Sequence, residues 1–233
     1  MDRRWEFATE SCGRVVWDWA GGSPTIEHLV PVRRPSSRAR SRHVPAKVYS
    51  MMTGGWLLAE SGLEHDLIRV LDRQPDVRWI VAQPLRLEFV YPDRRFSHIP
   101  DVLSVRGDSV TVWDCRPASR HDDAFIERTT ATKAVCAEVG WSYEVFVGQP
   151  LPERMNERWL AGFRRSRPWH DDYRHLVLAA CATPVTLAEL ISSDDGSGKF
   201  VETIWHLICV GELVCDLDTP LRRATRVRSS SDA

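Results

Sequence analysis

The feature that most constrains this chain is a pair of apolar-rich runs between Pro100 and Arg116, each of which carries one aspartate. They meet at Gly107-Asp108, which as a two-residue loop would make a β-hairpin in which residue numbers summing to 215 face each other. Asp101 and Asp114 then oppose each other directly, with Cβ atoms roughly 4.5–5.5 Å apart. Because two like charges at that distance destabilise a sheet, the hairpin predicts a divalent cation between them.

Arg116 lies two residues beyond Asp114 and, because strand side chains alternate, points to the same face. Two carboxylates and a cation on one face suit a hard ion such as Mg²⁺, whose coordination shell a substrate phosphate can complete. The pattern therefore indicates phosphodiester chemistry. The alternative is a surface hairpin with two solvated aspartates, in which Arg116 is only a surface partner of Asp114.

The sequence around the hairpin predicts an alternation of helices and strands. An amphipathic helix precedes it, because apolar residues recur at helical spacing, and Glu64 lies on the edge of that apolar stripe. Asp122-Asp123 can cap a second helix after it. The predicted order is helix, strands, hairpin, helix, strand, over Leu63–Leu71, Val77–Val81, Leu85–Tyr91, the hairpin, Ala124–Val139 and Trp141–Val147.

In this order and spacing, the chain resembles the TnsA-like endonuclease subunits of heteromeric transposases, which belong to the PD-(D/E)xK nuclease group. The resemblance covers about 100 residues and rests on Glu60-Ser-Gly-Leu-Glu64, Gln83-Pro84, His98-Ile-Pro-Asp101, Val112-Trp-Asp-Cys-Arg-Pro117 and Gly140-Trp-Ser-Tyr143. It implies an α/β fold with a restriction-endonuclease-like core, in which helices flank a mixed sheet. It also implies a Mg²⁺-dependent DNA endonuclease, with Mn²⁺ as an alternative ion, that cuts transposon ends beside a DDE transposase and an AAA+ ATPase regulator.

Carried over by position, the resemblance implies that Glu64, Asp101 and Asp114 are acidic active-site residues and metal ligands. Arg116 falls where the family usually has lysine. A guanidinium stays protonated and cannot act as a general base, although it can hold a phosphoryl oxygen. Three alternatives follow: Arg116 supplies only the electrostatic part of the role, another group such as Lys133 replaces it, or the subunit cuts poorly or not at all.

Composition changes along the chain predict three segments. Residues 1–50 would be an N-terminal β segment and a basic arm, residues 51–150 the nuclease domain, and residues 151–233 a winged-helix-like α+β domain. Between Pro31 and Ser50 there are five arginines and one lysine with no acidic residue. Such an arm either binds double-stranded DNA in a salt-dependent way or is a solvated linker.

The C-terminal segment predicts three helices followed by a two-stranded wing. Thr186 and Glu189 form a capping-box pattern at the second helix, and the third, Lys199–Val210, carries one apolar stripe. Third helices of such units often bind DNA, but this one is not strongly basic, so protein binding is an equal alternative. The resemblance implies contact with the ATPase regulator.

At 233 residues with 43% hydrophobic side chains, the chain can bury a sizeable core. The sequence has no secretory signal pattern and no apolar run long enough to cross a membrane, so we expect a cytoplasmic protein without a membrane partner. Three functions remain open at this stage. They are a transposition endonuclease, a restriction or defence nuclease, and a DNA-binding subunit attenuated through Arg116.

Overall fold

The computed structural model describes residues 2–33 and 45–230. Its contacts divide the chain into two compact units, Met1–Asp72 with Asp76–Gly148, and Arg73–Pro75 with Gln149–Ala233. Most of the predicted basic arm lies outside the described residues, and the domain limits at 50 and 150 stay predictions. The protein is a mixed α/β protein with several sheets.

The first unit contains most of the strands. Its elements in chain order are β1 (Asp2–Thr9), β2 (Gly13–Val16), β3 (Leu29–Val30), β4 (Ala46–Ser50), β5 (Gly55–Ala59), α1 (Gly62–Arg73), β6 (Val77–Ala82), β7 (Leu85–Val90), β8 (Arg95–His98), β9 (Val102–Arg106), β10 (Ser109–Cys115), α2 (Asp123–Glu138) and β11 (Ser142–Phe146).

A four-stranded sheet in the order β11-β10-β9-β6 organises this unit. β6, β9 and β10 pair antiparallel, whereas β10 and β11 pair parallel and are connected through α2. α2 begins where sequence predicted, because the Asp122 carboxylate accepts a hydrogen bond from the Phe125 N–H. It ends before Gly140, whose φ of 76° is the left-handed conformation that suits glycine at a helix C-terminus.

α1 packs against β6 and β9 of this sheet, and Leu67 and Leu71 of its predicted apolar stripe are buried there. Leu67, Ile68 and Leu71 are buried in one cluster with Val102 of β9. Trp113 of β10 packs against the same cluster, so the odd-numbered side chains of β10 face α1. The even-numbered side chains of β10 therefore face the other cluster, which α2 covers.

A second sheet has the order β2-β1-β7-β8, and β3 pairs with β1. The sequence predicted an N-terminal hairpin, and β1 and β2 do pair antiparallel. The sequence did not predict that β1 also pairs with β7, with Trp5 opposite Leu87. This long-range pairing buries Trp5 and Phe7 beside Trp141.

Up to residue 230, where the described residues end, the second unit combines four α-helices with a small sheet. The predicted capping box is confirmed, because Thr186 Oγ1 accepts from the Glu189 N–H and the Glu189 carboxylate accepts from the Thr186 N–H. The sheet has the order β12-β14-β13, so the two predicted wing strands do pair. The elements are α3 (Leu151–Leu160), α4 (His170–Ala180), β12 (Val185–Thr186), α5 (Leu187–Ser192), α6 (Lys199–Cys209), β13 (Leu213–Cys215) and β14 (Arg226–Ser229).

Across residues 2–33 and 45–230, none of the helices has both the length and the apolar character that crossing a bilayer requires.

Candidate active site

The predicted hairpin is confirmed in β9 and β10. Val102 pairs with Trp113 and Arg106 with Ser109, so the loop is Gly107-Asp108 and the paired numbers sum to 215. Gly107 has a φ of 53°, which a residue without a side chain adopts readily in this tight turn.

The regular ladder ends at Val102, one residue before Asp101. The Asp101 N–H donates to the Trp113 carbonyl at 3.0 Å, which offsets Asp101 by one residue from the regular register. Its carboxylate Oδ2 accepts a hydrogen bond of 2.7 Å from the Cys115 N–H. The expectation of a directly opposed Asp101–Asp114 pair is therefore wrong, because the end of β10 binds the Asp101 carboxylate through a backbone donor.

Asp114 lies within a buried hydrogen-bond network. His98 Nε2 is 3.0 Å from Asp114 Oδ1, and the Tyr143 hydroxyl donates to Oδ2. On its other side, His98 Nδ1 lies 2.8 Å from the Thr132 Oγ1 on α2. Burial, and then the charge of Asp114, raise the pKa of Tyr143, so the phenol stays a donor. Both oxygens of Asp114 are thus occupied by groups from β8 and β11.

Glu64 is held in the first turn of α1, where its side chain is only 5% exposed. Its N–H donates to Ser61 Oγ at 3.1 Å, and its Oε2 accepts a hydrogen bond of 2.8 Å from the Glu60 N–H. Burial raises the pKa of the Glu64 carboxyl, although the bond from Glu60 opposes that shift.

Gln83 connects Glu64 to Asp101. Its Nε2 lies 3.4 Å from Glu64 Oε2, and its N–H donates to the Asp101 carbonyl at 2.8 Å. Its φ of 43° is unusual for a residue with a side chain, and such backbone strain clusters at functional sites. Its Oε1 is buried and has no hydrogen-bond partner among the described residues. A buried amide oxygen without a donor is a free ligand position.

The charges around Asp101 reinforce one another. Burial raises the pKa of Asp101 well above its ordinary value, and the charges of Glu64 and Asp114 raise it further. The three carboxylates are therefore close enough to raise the pKa of Asp101, and a bound cation would stabilise their ionised forms.

The described residues contain few side chains arranged to bind such a cation. Among residues 2–33 and 45–230, no three His, Cys, Asp or Glu side chains form a metal-binding group. The predicted ligand set of Glu64, Asp101 and Asp114 is thus not preassembled. The carboxylates of Glu64 and Asp101 and the unpartnered Gln83 Oε1 are oxygen donors of the kind that Mg²⁺ binds, and Mg²⁺ takes few protein oxygens and retains several waters.

Arg116 is directed to the beginning of α2. Its Nη2 lies 2.8 Å from Asp122 Oδ2, its Nε donates to the Arg120 carbonyl at 2.5 Å, and its guanidinium lies 4.7 Å from the centre of the Phe125 ring. Lys133, the alternative cation, is exposed on α2. The contacts of Arg116 therefore tie it to the helix N-terminus and not to the three acids.

Sequence reasoning missed two members of the site. Tyr143 belonged to a quoted motif, but nothing in the sequence indicated that its hydroxyl binds Asp114. Thr132 had no sequence signal, because its role depends on how α2 packs over β8. His98, interpreted as a packed or surface histidine, is indeed buried, at 7% exposure.

Comparisons with known proteins add little to this geometry. No model of a known protein family matches the chain. No curated protein matches it either. Among solved structures, one match is the crystal structure of protein VC1899 from Vibrio cholerae, at 9% sequence identity and a TM-score of 0.21. The match covers 36% of this chain and spans only 28% of that protein's chain, and a TM-score this low does not establish a shared fold.

Proposed function

We propose that the protein is a metal-dependent DNA endonuclease of the PD-(D/E)xK type, acting as a TnsA-like subunit of a heteromeric transposase. One observation carries the proposal. The strained residue Gln83 contacts both the buried carboxylate of Glu64, through its side-chain amide, and the backbone carbonyl of the partly buried Asp101, through its N–H; its own amide oxygen is buried and has no partner among the described residues. Raised carboxyl pKa values and backbone strain together are typical of functional sites.

The order of elements supports a restriction-endonuclease-like core. α1, β6, β7, the β9–β10 hairpin, α2 and β11 follow the predicted order of helix, strands, hairpin, helix and strand, with β8 as an additional strand before the hairpin and with β7 in the second sheet. In the second unit, the order α4, β12, α5, α6, β13, β14 supports the winged-helix-like prediction. Both finer assignments remain part of the proposal.

Glu64, Asp101 and the Gln83 Oε1 would hold Mg²⁺, or Mn²⁺ in its place. When bound, such an ion supplies an activated water and neutralises charge on the phosphate. Binding of the cation would favour the ionised forms of Glu64 and Asp101, whose pKa values burial raises in its absence. Asp114 acts as a positioning residue, because its bonds to His98 and Tyr143 fix the end of β10, whose Cys115 N–H orients the Asp101 carboxylate.

The proposed substrate is double-stranded DNA at transposon ends. The arginine-rich segment between Pro31 and Ser50 supports this, since it can neutralise backbone phosphates. The DDE transposase and AAA+ ATPase regulator are proposed as partners on the resemblance alone.

A second candidate is a DNA-binding subunit with attenuated cleavage. The contacts of Arg116 favour it, because its guanidinium binds Asp122 and the Arg120 carbonyl and not a group beside Asp101. A site of this type without a cation near the scissile phosphate would lose much of its electrostatic stabilisation of the transition state.

The test is nicking of a supercoiled plasmid and cutting of a labelled duplex in Mg²⁺, Mn²⁺ or EDTA. Asp101→Asn is the informative variant, since it keeps an acceptor for the Cys115 N–H but removes the charge. Asp108→Asn is the matched control, because Asp108 is exposed in the loop of the same hairpin. We expect metal-dependent cutting that Asp101→Asn abolishes and Asp108→Asn retains.

Arg116→Lys separates the two candidates. Cutting by the wild-type chain in Mg²⁺ supports the endonuclease, whereas cutting only after Arg116→Lys identifies an attenuated subunit. Equal cutting by wild type and Asp101→Asn would refute the proposed site.

A further inference from the structure

One face of α3 in the second unit is apolar and exposed. Leu151, Met155 and Trp159 retain 69%, 54% and 53% of their accessible surface. They recur every four residues and therefore lie along one face of the helix over about 12 Å. Leu160 lies on the other side of the helix and Asn156 lies between the two sides, and both residues are buried. We call the three exposed side chains the α3 stripe.

At its Trp159 end, the α3 stripe borders a cavity of about 330 Å³. Trp159 lines this cavity together with Trp205, Ile191 and Leu221. Trp159 also packs edge-to-face on Trp205, with ring centroids 5.7 Å apart, so the wall on this side is aromatic. An apolar side chain of a partner can be buried here.

The loop between β13 and β14 is fastened to α3 beside the cavity. Asn156 Nδ2 donates to the carbonyls of Leu217 and Thr219 at 2.8 and 2.7 Å, and its Oδ1 accepts from the Leu221 N–H at 3.2 Å. Because one buried amide makes all three bonds, the loop and the α3 stripe form a single pre-organised surface. Pre-organisation lowers the entropic penalty of binding.

Two arginines give this surface a positive rim. Arg222 and Arg223 line the cavity and are exposed. The residues that line it include no carboxylate, and within the described part of the chain neither guanidinium has an ion pair with an acidic side chain. A partner can therefore supply the missing negative charge.

We propose that the α3 stripe, the cavity and the two arginines bind an acidic amphipathic helix of another protein. Such a helix would lay apolar residues along Leu151, Met155 and Trp159 and direct its carboxylates to Arg222 and Arg223, as in helix-in-groove recognition. Tryptophan, methionine and arginine are enriched at protein interfaces. Exposed leucine and methionine have little use against a phosphate backbone, so the surface favours a protein over DNA.

This inference is independent of the proposed cleavage. It concerns residues of the second unit, requires no metal ion and is measured by binding alone. A protein that fails to cut DNA can still bind the helix, and an active nuclease can lack this site.

The test begins with a display library of 16-residue peptides selected on the immobilised full chain. Each peptide keeps apolar residues at i, i+4 and i+8, and the other positions vary among Asp, Glu, Lys, Arg and Gln. We expect selected peptides to be enriched in Asp and Glu. The most enriched peptide, labelled with fluorescein, is then titrated by anisotropy in EDTA.

The variants probe the two halves of the surface. Met155→Glu and the double change Arg222→Glu with Arg223→Glu should each weaken binding by about tenfold or more, equivalent to about 1.4 kcal/mol. Leu176→Glu is the matched control for the first, because Leu176 is 49% exposed on α4. Arg4→Glu controls for charge reversal on an exposed position of the first unit.

Several results would overturn the proposal. They are a library without acidic enrichment, equal loss of binding in Leu176→Glu, and unchanged affinity in both probing variants. Competition by duplex DNA for the peptide, abolished by the double arginine change, would assign the surface to DNA instead. Dimerisation that Met155→Glu abolishes would assign it to a second copy of the chain.

Discussion

Replacing Asp114 by alanine should destabilise the first unit, whether or not Asp114 binds a metal ion. The change removes the acceptor of two buried hydrogen bonds, from His98 and from Tyr143. Bonds to charged groups contribute about 1.5–3 kcal/mol each, and breaking a buried pair by removing one partner costs about 3–5 kcal/mol. We therefore expect Asp114→Ala to lower the free energy of unfolding by about 3–5 kcal/mol.

Asp114→Asn should be milder, because the amide oxygen accepts from Tyr143 and a neutral His98 can accept from the amide group. A loss of about 1–3 kcal/mol is expected. The assay is hydrogen exchange of the β10 amides across a denaturant series, which reports the unfolding free energy of this unit by itself. Asp108→Ala, in the exposed hairpin loop, should stay within about 0.5 kcal/mol of wild type.

An Asp114→Ala protein as stable as Asp108→Ala would refute the buried network. If Asp114 were only a metal ligand, as the resemblance implies, Asp114→Ala would abolish metal binding and cleavage with the fold intact. The network changes that interpretation, because loss of cutting in this variant would also follow from disorder at the end of β10. Asp101→Asn is consequently the cleaner test of the active site.

Three further predictions follow from the same contacts. Because the folded-state pKa of Asp101 is raised, the stability contribution of the protonated carboxyl is complete below about pH 4 and is lost as pH rises through the raised pKa. Without divalent metal, the free energy of unfolding of Asp101→Asn should thus rise relative to that of wild type as pH increases from 4.5 to 8. If urea titrations give the same difference between the two proteins at every pH, the raised pKa is contradicted. Asn156→Ala should destabilise the second unit by about 1.5–4 kcal/mol, because three hydrogen bonds are lost, and should expose the loop 217–221 to protease. Unchanged proteolysis of that loop would contradict the role of Asn156 in holding it. Arg116→Lys should change stability by less than about 1 kcal/mol, because the Asp122 carboxylate in its ion pair is exposed and lysine keeps the charge. A larger loss on denaturation would show that the guanidinium is structurally required.

Local pattern was enough to predict many elements of this protein. The hairpin loop at Gly107-Asp108, the Asp122 cap of α2 and the Thr186–Glu189 capping box all appear where sequence predicted them. Each depends on residues within a few positions of one another, so short-range chemistry determines them.

The long-range features required the tertiary structure. Nothing local indicates that β1 pairs with β7, since any amphipathic strand presents similar donors and acceptors. The sequence placed Asp101 opposite Asp114, but the ladder ends at Val102, and the Asp101 N–H donates to the Trp113 carbonyl instead. A shift of one residue decides which groups a carboxylate meets.

The sequence by itself determined the acidic residue types, their order and the local elements that carry them. Only the tertiary structure decided their environment. Asp114 binds His98 and Tyr143 across three strands, Arg116 binds the beginning of α2, and Gln83 joins Glu64 to Asp101. The burial and charge of a site depend on side chains from other helices and strands, and those residues lie far away along the chain.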